Sequence, residues 1–297
     1  MSDNYEKHDH NHERNKPIGW SEISYPGERH VPIPEEPGSG SWPTVFFKRN
    51  HHGKFLDKKG HIIPFEIRRP DIGIDFEGEE LRAVEDTLKY LNRHEETVAT
   101  YWGEGPATKQ WTPIIDKLID TYGISAPRAG RILASVQSAL NDAFVIAWYF
   151  KFKWDIARPN QLNKDLEPFL DTPRHPTYPS GHATVAGAAQ VVLSYFFKPE
   201  KHKLKDLAEE CALSRLYGGV HFPIDNDEGL RLGRHIGRLV VEQLKKQYDK
   251  DGTRIDLRIK DFKDAKLIPP PYKQAIPFNR DKKHEHDHAP LFYRDFL

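Results

Sequence analysis

Residues 143–159 read A-F-V-I-A-W-Y-F-K-F-K-W-D-I-A-R-P, and this stretch decides the architecture. From Ala143 to Phe150 it is apolar all round. A helix without a polar face belongs among other helices, at the centre of a bundle. Upstream, Ser125 with Pro127 in the first turn marks a helix start, so one long helix is expected from there to about Ile156. Neither Ala143–Phe150 nor the second apolar stretch, Ala183–Phe197, is long and uninterrupted enough to span a bilayer.

Working outward, helical spacing of apolar residues recurs on both sides. Glu77–His94 places Leu81, Val84, Leu88 and Leu91 on one stripe. Thr112-Pro113 opens a helix to Tyr122. A proline-rich loop leads to Tyr178, and further helices are expected over Ser180–Phe197, about Lys201–Tyr217 (stopped by Gly218-Gly219) and about Asp225–Tyr248. The chain thus predicts an all-α helical bundle over residues 76–250. Residues 1–75 read as an N-terminal arm with short strands at Val45–Phe47 and Ile62–Ile67, and residues 251–297 as a C-terminal arm, because prolines and glycines leave little room for regular structure.

Composition restricts function. The 44 basic and 44 acidic residues cancel, so no global field attracts nucleic acid or an anionic membrane, and an anion site must be built locally. The first sixteen residues hold no apolar signal segment, and the expected location is the cytoplasm. Cys211 is the only cysteine and Met1 the only methionine. An intramolecular disulfide is excluded, and few sulfurs are open to oxidation. His8, His10 and His12, with His284, His286 and His288, alternate with acidic or amide residues. In flexible arms such tracts are adventitious chelators more often than sites.

Local charge concentrates between residues 151 and 225. Lys151 and Arg158 lie seven apart, two turns on one helix face, with Trp148 three before Lys151. Asp155, four after Lys151, is also placed for an ordinary helix ion pair worth about 0.3–0.5 kcal/mol. Pro159 biases Arg158 out of helical geometry, so the guanidinium is expected at the helix end. Ser180-Gly181 opens a helix and offers a seat for an anion, although Ser180 is equally a plain N-cap. In Lys201–Tyr217 the apolar stripe Leu204, Leu207, Ala208, Cys211, Ala212 continues into Arg215. A buried cation there needs a buried counter-charge, either a salt bridge or a bound oxyanion. His221 precedes Asp225 by four residues, so the carboxylate can accept from one ring nitrogen and leave the other free. His182, next to the anion seat, can donate and accept protons.

These residues resemble the signature of the type 2 phosphatidic acid phosphatase superfamily, K-x6-R-P, then P-S-G-H, then S-R-x5-H-x3-D. It joins vanadium-dependent haloperoxidases with acid and lipid phosphatases. Lys151, Arg158-Pro159, Pro179 to His182, Ser214-Arg215, His221 and Asp225 fill every position. The runs H-P-T-Y-P-S-G-H-A (from His175), Y-W-G-E-G-P (from Tyr101) and Y-G-G-V-H-F (from Tyr217) are similar to the haloperoxidase branch. So is Trp148, and His175 points away from chloride.

The resemblance implies vanadate, or phosphate in the same seat. Lys151, Arg158, Ser180, Gly181 and Arg215 would hold its oxygens, with His221 on the metal and His182 as proton shuttle. Trp148 and His175 would line the substrate pocket. The implied partners are hydrogen peroxide with bromide or iodide. The alternative is a soluble phosphatase acting on small phosphomonoesters, with His221 as nucleophile and Asp225 orienting it. A homodimer is a further expectation of the resemblance; an oxyanion-binding protein without catalysis is the remaining reading.

Overall fold

A computed structural model describes residues 16–256, 259–267 and 272–275. Both terminal histidine tracts lie outside the described residues. Eight α-helices occur among them: α1 (Leu81–Lys89), α2 (Arg93–Gly103), α3 (Trp111–Tyr122), α4 (Ala126–Trp154), α5 (Pro159–Leu162), α6 (Gly181–Phe196), α7 (Lys201–Tyr217) and α8 (Pro223–Leu244). One two-stranded antiparallel sheet, β1 (Lys48–Arg49) with β2 (Phe55–Leu56), completes the regular structure. The protein is all-α, and no described helix is long and apolar enough to cross a membrane.

The centre is built by α4, α6 and α8. Ala139, Leu140, Ala143, Ile146 and Ala147 of α4 are fully buried, as the all-round apolar stretch requires. Small residues let α6 and α8 approach at backbone distance. A Cβ at Gly233 would fall 2.0 Å from the Thr184 carbonyl oxygen, and one at Gly187 would fall 2.6 Å from that of Leu230. This contact fixes the start of α6 beside the first turn of α8, where the Ser180 N–H donates to the Asp225 carbonyl at 2.9 Å.

Several expectations are corrected. The single helix expected over Glu77–His94 is two. A π-helical turn over Phe76–Glu80 leads into α1, and α2 then starts afresh at Asn92. The Asn92 side chain accepts from the His94 and Glu95 amides, while Glu95 accepts from the Asn92 N–H at 2.9 Å. That reciprocal cap is stronger than continuation through Tyr90 and Leu91. The expected strand at Val45–Phe47 is also absent. The amides of Val45 and Phe46 donate instead to buried Asp142 of α4, each at 2.8 Å, and pairing shifts to Lys48–Arg49. Of the segment Ile62–Ile67, only Ile62 makes a bridge, to Leu56.

The Lys151–Asp155 ion pair does not form. Asp155 adopts left-handed geometry (φ 54°) as the C-cap of α4, and its carboxylate accepts from the Ser21 hydroxyl at 2.6 Å. The N-terminal residues therefore lie against the bundle. Trp20 and Tyr25 are buried, and Gln161 donates to the carbonyls of Trp20 and Ile23 at 3.0 and 2.7 Å.

Candidate active site

Arg158 does not share a helical face with Lys151, because α4 stops at Trp154 and Arg158 is extended (φ −80°, ψ 159°). The two cations meet through the strap 173–177. Lys151 Nζ donates to the carbonyls of Pro176 and Thr177, both at 2.8 Å. Arg158 Nε donates to the His175 carbonyl at 3.0 Å, Nη1 to Val220 at 2.6 Å, and Nη2 to His175 Nδ1 at 2.9 Å. Tyr25 pins the start of the strap, its hydroxyl donating to the Pro173 carbonyl at 2.9 Å and accepting from Trp20 Nε1 at 2.7 Å. Lys151 and Arg158 are fully buried, and burial drives both side-chain pKa values down, that of Lys151 far down.

Arg215 enters from α7, 2 % exposed, and its Nε and Nη1 have no partner among the described residues. Burial holds its pKa at about 10, so it stays charged at neutral pH. Gly103 at the end of α2 makes room for it: a Cβ there would fall 2.9 Å from Arg215 Nη1 and 2.5 Å from Leu170 Cδ1.

His221 is fixed from both sides. Its Nδ1 lies 2.9 Å from Asp225 Oδ2, and its Nε2 lies 3.2 Å from Arg158 Nη1. A guanidinium only donates, so Nε2 carries the lone pair and Nδ1 the proton. Asp225 Oδ2 also accepts from the Thr177 hydroxyl and, at 3.0 Å, from the Phe222 N–H. Burial, then Arg158 and Lys151, holds His221 well below the usual imidazole range. Burial pushes Asp225 up to about 7, opposed first by the Thr177 hydrogen bond. His221 is thus a neutral imidazole at neutral pH.

Ser180 N-caps α6, its hydroxyl oxygen accepting from the Ala183 N–H at 3.3 Å. Gly181 and His182 occupy the first turn, whose N–H groups no intrahelical carbonyl can reach. His182 Nε2 is buried and unpartnered, and burial followed by Arg215 lowers its pKa well below the ordinary value. Trp148 and His175 form one wall, ring centroids 4.6 Å apart, with Lys151 Nζ 5.9 Å from the indole.

The ten residues singled out in the sequence lie around one electrostatically linked, largely buried cluster. Thr177, Gly103 and Tyr25 were given no role by sequence reasoning. Thr177 and Gly103 lie inside the quoted runs H-P-T-Y-P-S-G-H-A and Y-W-G-E-G-P, where the signal was present; Tyr25 lies in a proline-rich stretch that carries none.

Three buried cations face one buried carboxylate, with unpartnered donors on Arg215 and an unpartnered nitrogen on His182. Buried charge without a counter-charge is costly, so these unpartnered donors suit a bound anion. Among the described residues no group of three or more His, Cys, Asp or Glu is arranged to hold a metal cation; the donors suit an oxyanion.

Residues 132–249 match the PAP2 superfamily. A vanadium-dependent bromoperoxidase of Corallina pilulifera is 30% identical over 29% of this chain, a match covering 20% of that relative. The structure of a bacterial vanadium-dependent iodoperoxidase superposes with a TM-score of 0.60 at 23% identity, covering 76% of this chain and 61% of that one. A bacterial vanadium-dependent chloroperoxidase gives 0.57 at 16% identity, covering 71% and 55%. These likenesses establish the fold, and the match reaches only about a fifth of the curated relative.

Proposed function

We propose that this chain is a vanadate-dependent haloperoxidase-like enzyme that oxidises bromide or iodide with hydrogen peroxide. One observation carries the reading: a buried Arg215 whose Nε and Nη1 have no partner among the described residues, electrostatically coupled to a neutral His221 whose proton is held on Nδ1 by Asp225. The bromoperoxidase and iodoperoxidase relatives support the choice of chemistry, and so does the Trp148–His175 wall.

When bound, vanadate supplies a Lewis-acidic centre that activates peroxide toward halide. Lys151, Arg158 and Arg215 would hold its oxygens, and the first-turn amides at Ser180-Gly181 add donors and a favourable dipole. His221 would hold the metal through Nε2, whose lone pair accepts from Arg158 Nη1 in the ligand-free protein and would have to be released from it. His182, neutral and unpartnered at Nε2, would take up the proton that peroxide gives up and return it to the departing product. Preorganised cations of this kind stabilise charge without reorganising during reaction.

A second reading has its own support. The Asp225-held imidazole is also the arrangement of a nucleophile, so a phosphomonoester would give a phosphohistidine on His221, with His182 protonating the leaving oxygen. The deciding experiment loads the protein with orthovanadate and measures peroxide-dependent bromination and iodination. Hydrolysis of p-nitrophenyl phosphate is measured on the vanadate-free protein. Vanadate-dependent halogenation that disappears in His221→Ala, with hydrolysis at background, is the expected result. Hydrolysis without halogenation assigns the phosphatase reaction instead. If neither activity appears while phosphate still binds, both enzymatic readings fail.

A further inference from the structure

A second cationic site lies at the opposite end of α6. Ser180 and Ser194 are separated by fourteen residues of this helix, about 21 Å at 1.5 Å per residue. At the far end a cavity of about 980 Å³ is bordered by Ser194, Lys198, Lys201, Lys245, Arg254 and Lys260. Its acid, Asp256, is already matched. It accepts from Arg131 at 2.5 and 2.7 Å and from the Tyr195 hydroxyl at 2.8 Å. None of the five bordering cations makes an ion pair among the described residues.

Helix dipoles account for only some of these charges. Lys198 follows the C-terminus of α6 and Lys245 that of α8, where cations are favoured. Lys201 is the first residue of α7, the end where a cation is disfavoured and an anion welcome. Arg254 and Lys260 come from the segment after α8 and answer no helix end. The Ser194 hydroxyl, on the same wall, is buried and has no hydrogen-bond partner among the described residues. In a chain with no formal net charge, five cations around one concavity are a local construction.

We infer that this cavity binds a small polyanion with several linked phosphoryl groups, at a site separate from the catalytic oxyanion pocket. Cations spread around so large a space cannot converge on a single phosphate. They match a ligand whose charges are spread too, and the volume lies within the range of small-ligand sites. A concave site favours a small ligand over a flat membrane or a duplex.

Inorganic tripolyphosphate is the probe. The full-length protein, its catalytic pocket saturated with orthovanadate, is titrated calorimetrically at low and at physiological salt. Binding of one tripolyphosphate per chain is expected, weakening with salt and weakening at least tenfold in Lys201→Gln/Lys245→Gln/Arg254→Gln. These positions are exposed, and the variant's unfolding midpoint and vanadate-dependent activity should match the parent. Absence of binding, or equal affinity in the triple variant, overturns the inference. Binding only when orthovanadate is withheld returns the ligand to the catalytic pocket and overturns it as well. Co-sedimentation with phosphatidylglycerol vesicles in the absence of tripolyphosphate binding makes the patch a membrane contact instead.

Discussion

The two ends of α6 carry comparable numbers of positive charges in opposite settings. At its N-terminus, Lys151, Arg158 and Arg215 are buried, and the first two are aimed by carbonyls of the strap and by His175. At its C-terminus, Lys198, Lys201, Lys245, Arg254 and Lys260 are exposed side chains that make no ion pair among the described residues. Charge alone makes an anion-binding surface. Burial with directed donors makes a site that distinguishes one geometry of oxyanion and polarises it, because a low local dielectric magnifies each interaction and fixed donors do not reorganise.

The contrast breaks most readily at Arg215. Arg215→Gln should weaken phosphate and vanadate binding by at least 100-fold, about 2.7 kcal/mol or more. The ligand-free fold should be equally stable or more so, since an unpaired buried cation has been removed. Lys245→Gln at the other end should change stability by less than about 0.5 kcal/mol and leave catalysis unchanged. Calorimetry with phosphate and urea unfolding of the ligand-free protein test both. A large loss of ligand-free stability in Arg215→Gln would mean that the guanidinium holds the fold rather than the ligand.

The pH dependence of stability sharpens the contrast. His175, His182 and His221 all have pKa values held below 6.5, in each case chiefly by burial. Their stabilising effect is present above the ordinary imidazole pKa and is lost as pH falls below it, because the unfolded chain takes up protons first. Asp225 runs the other way. Raised from 3.8 to about 7, it binds a proton in the folded state between those values and offsets about one histidine. The ligand-free protein should therefore lose stability as pH falls from 6.5 to 5.5. His175→Phe should flatten that slope, whereas Lys201→Gln should not touch it. Urea midpoints at pH 7.5, 6.5 and 5.5 measure both, and stability that is constant or rising toward pH 5.5 rules the account out.

The legibility of the sequence follows the same division between local and assembled features. The helical core could be read because α4, α6 and α7 each carry an apolar pattern with a local boundary signal: a start at Ser125-Pro127, a start at Ser180-Gly181, and a stop at Gly218-Gly219. The break at Tyr90–Asn92 was as local as those, and the Asn92–Glu95 cap was its sign. What could not be read was assembly. Nothing in spacing says that Arg158 leaves its helix and is captured by His175 and Val220, or that Asp142 takes the amides of Val45 and Phe46 and so displaces a strand. Tyr25 reaches the strap across 148 positions of sequence, a contact that only tertiary packing creates.

Thr177 offers the finest test, because it joins both halves of the buried cluster. Its carbonyl accepts from Lys151, and its hydroxyl donates to Asp225 Oδ2, the oxygen that holds the His221 proton. Thr177→Val keeps the shape and the carbonyl but removes the hydroxyl. One hydrogen bond to a buried carboxylate is lost, about 1 kcal/mol, so turnover should fall five- to tenfold. A purely structural loss would lower stability and leave the pH profile in place. The hydroxyl is the leading influence holding Asp225 down against burial, so its removal lets the carboxyl rise from about 7. The limb of the rate profile that requires the ionised carboxylate should then move to higher pH, and Thr177→Ser should restore both rate and limb. An unmoved limb in Thr177→Val would detach the hydroxyl from the histidine's proton and leave Thr177 important only through its backbone.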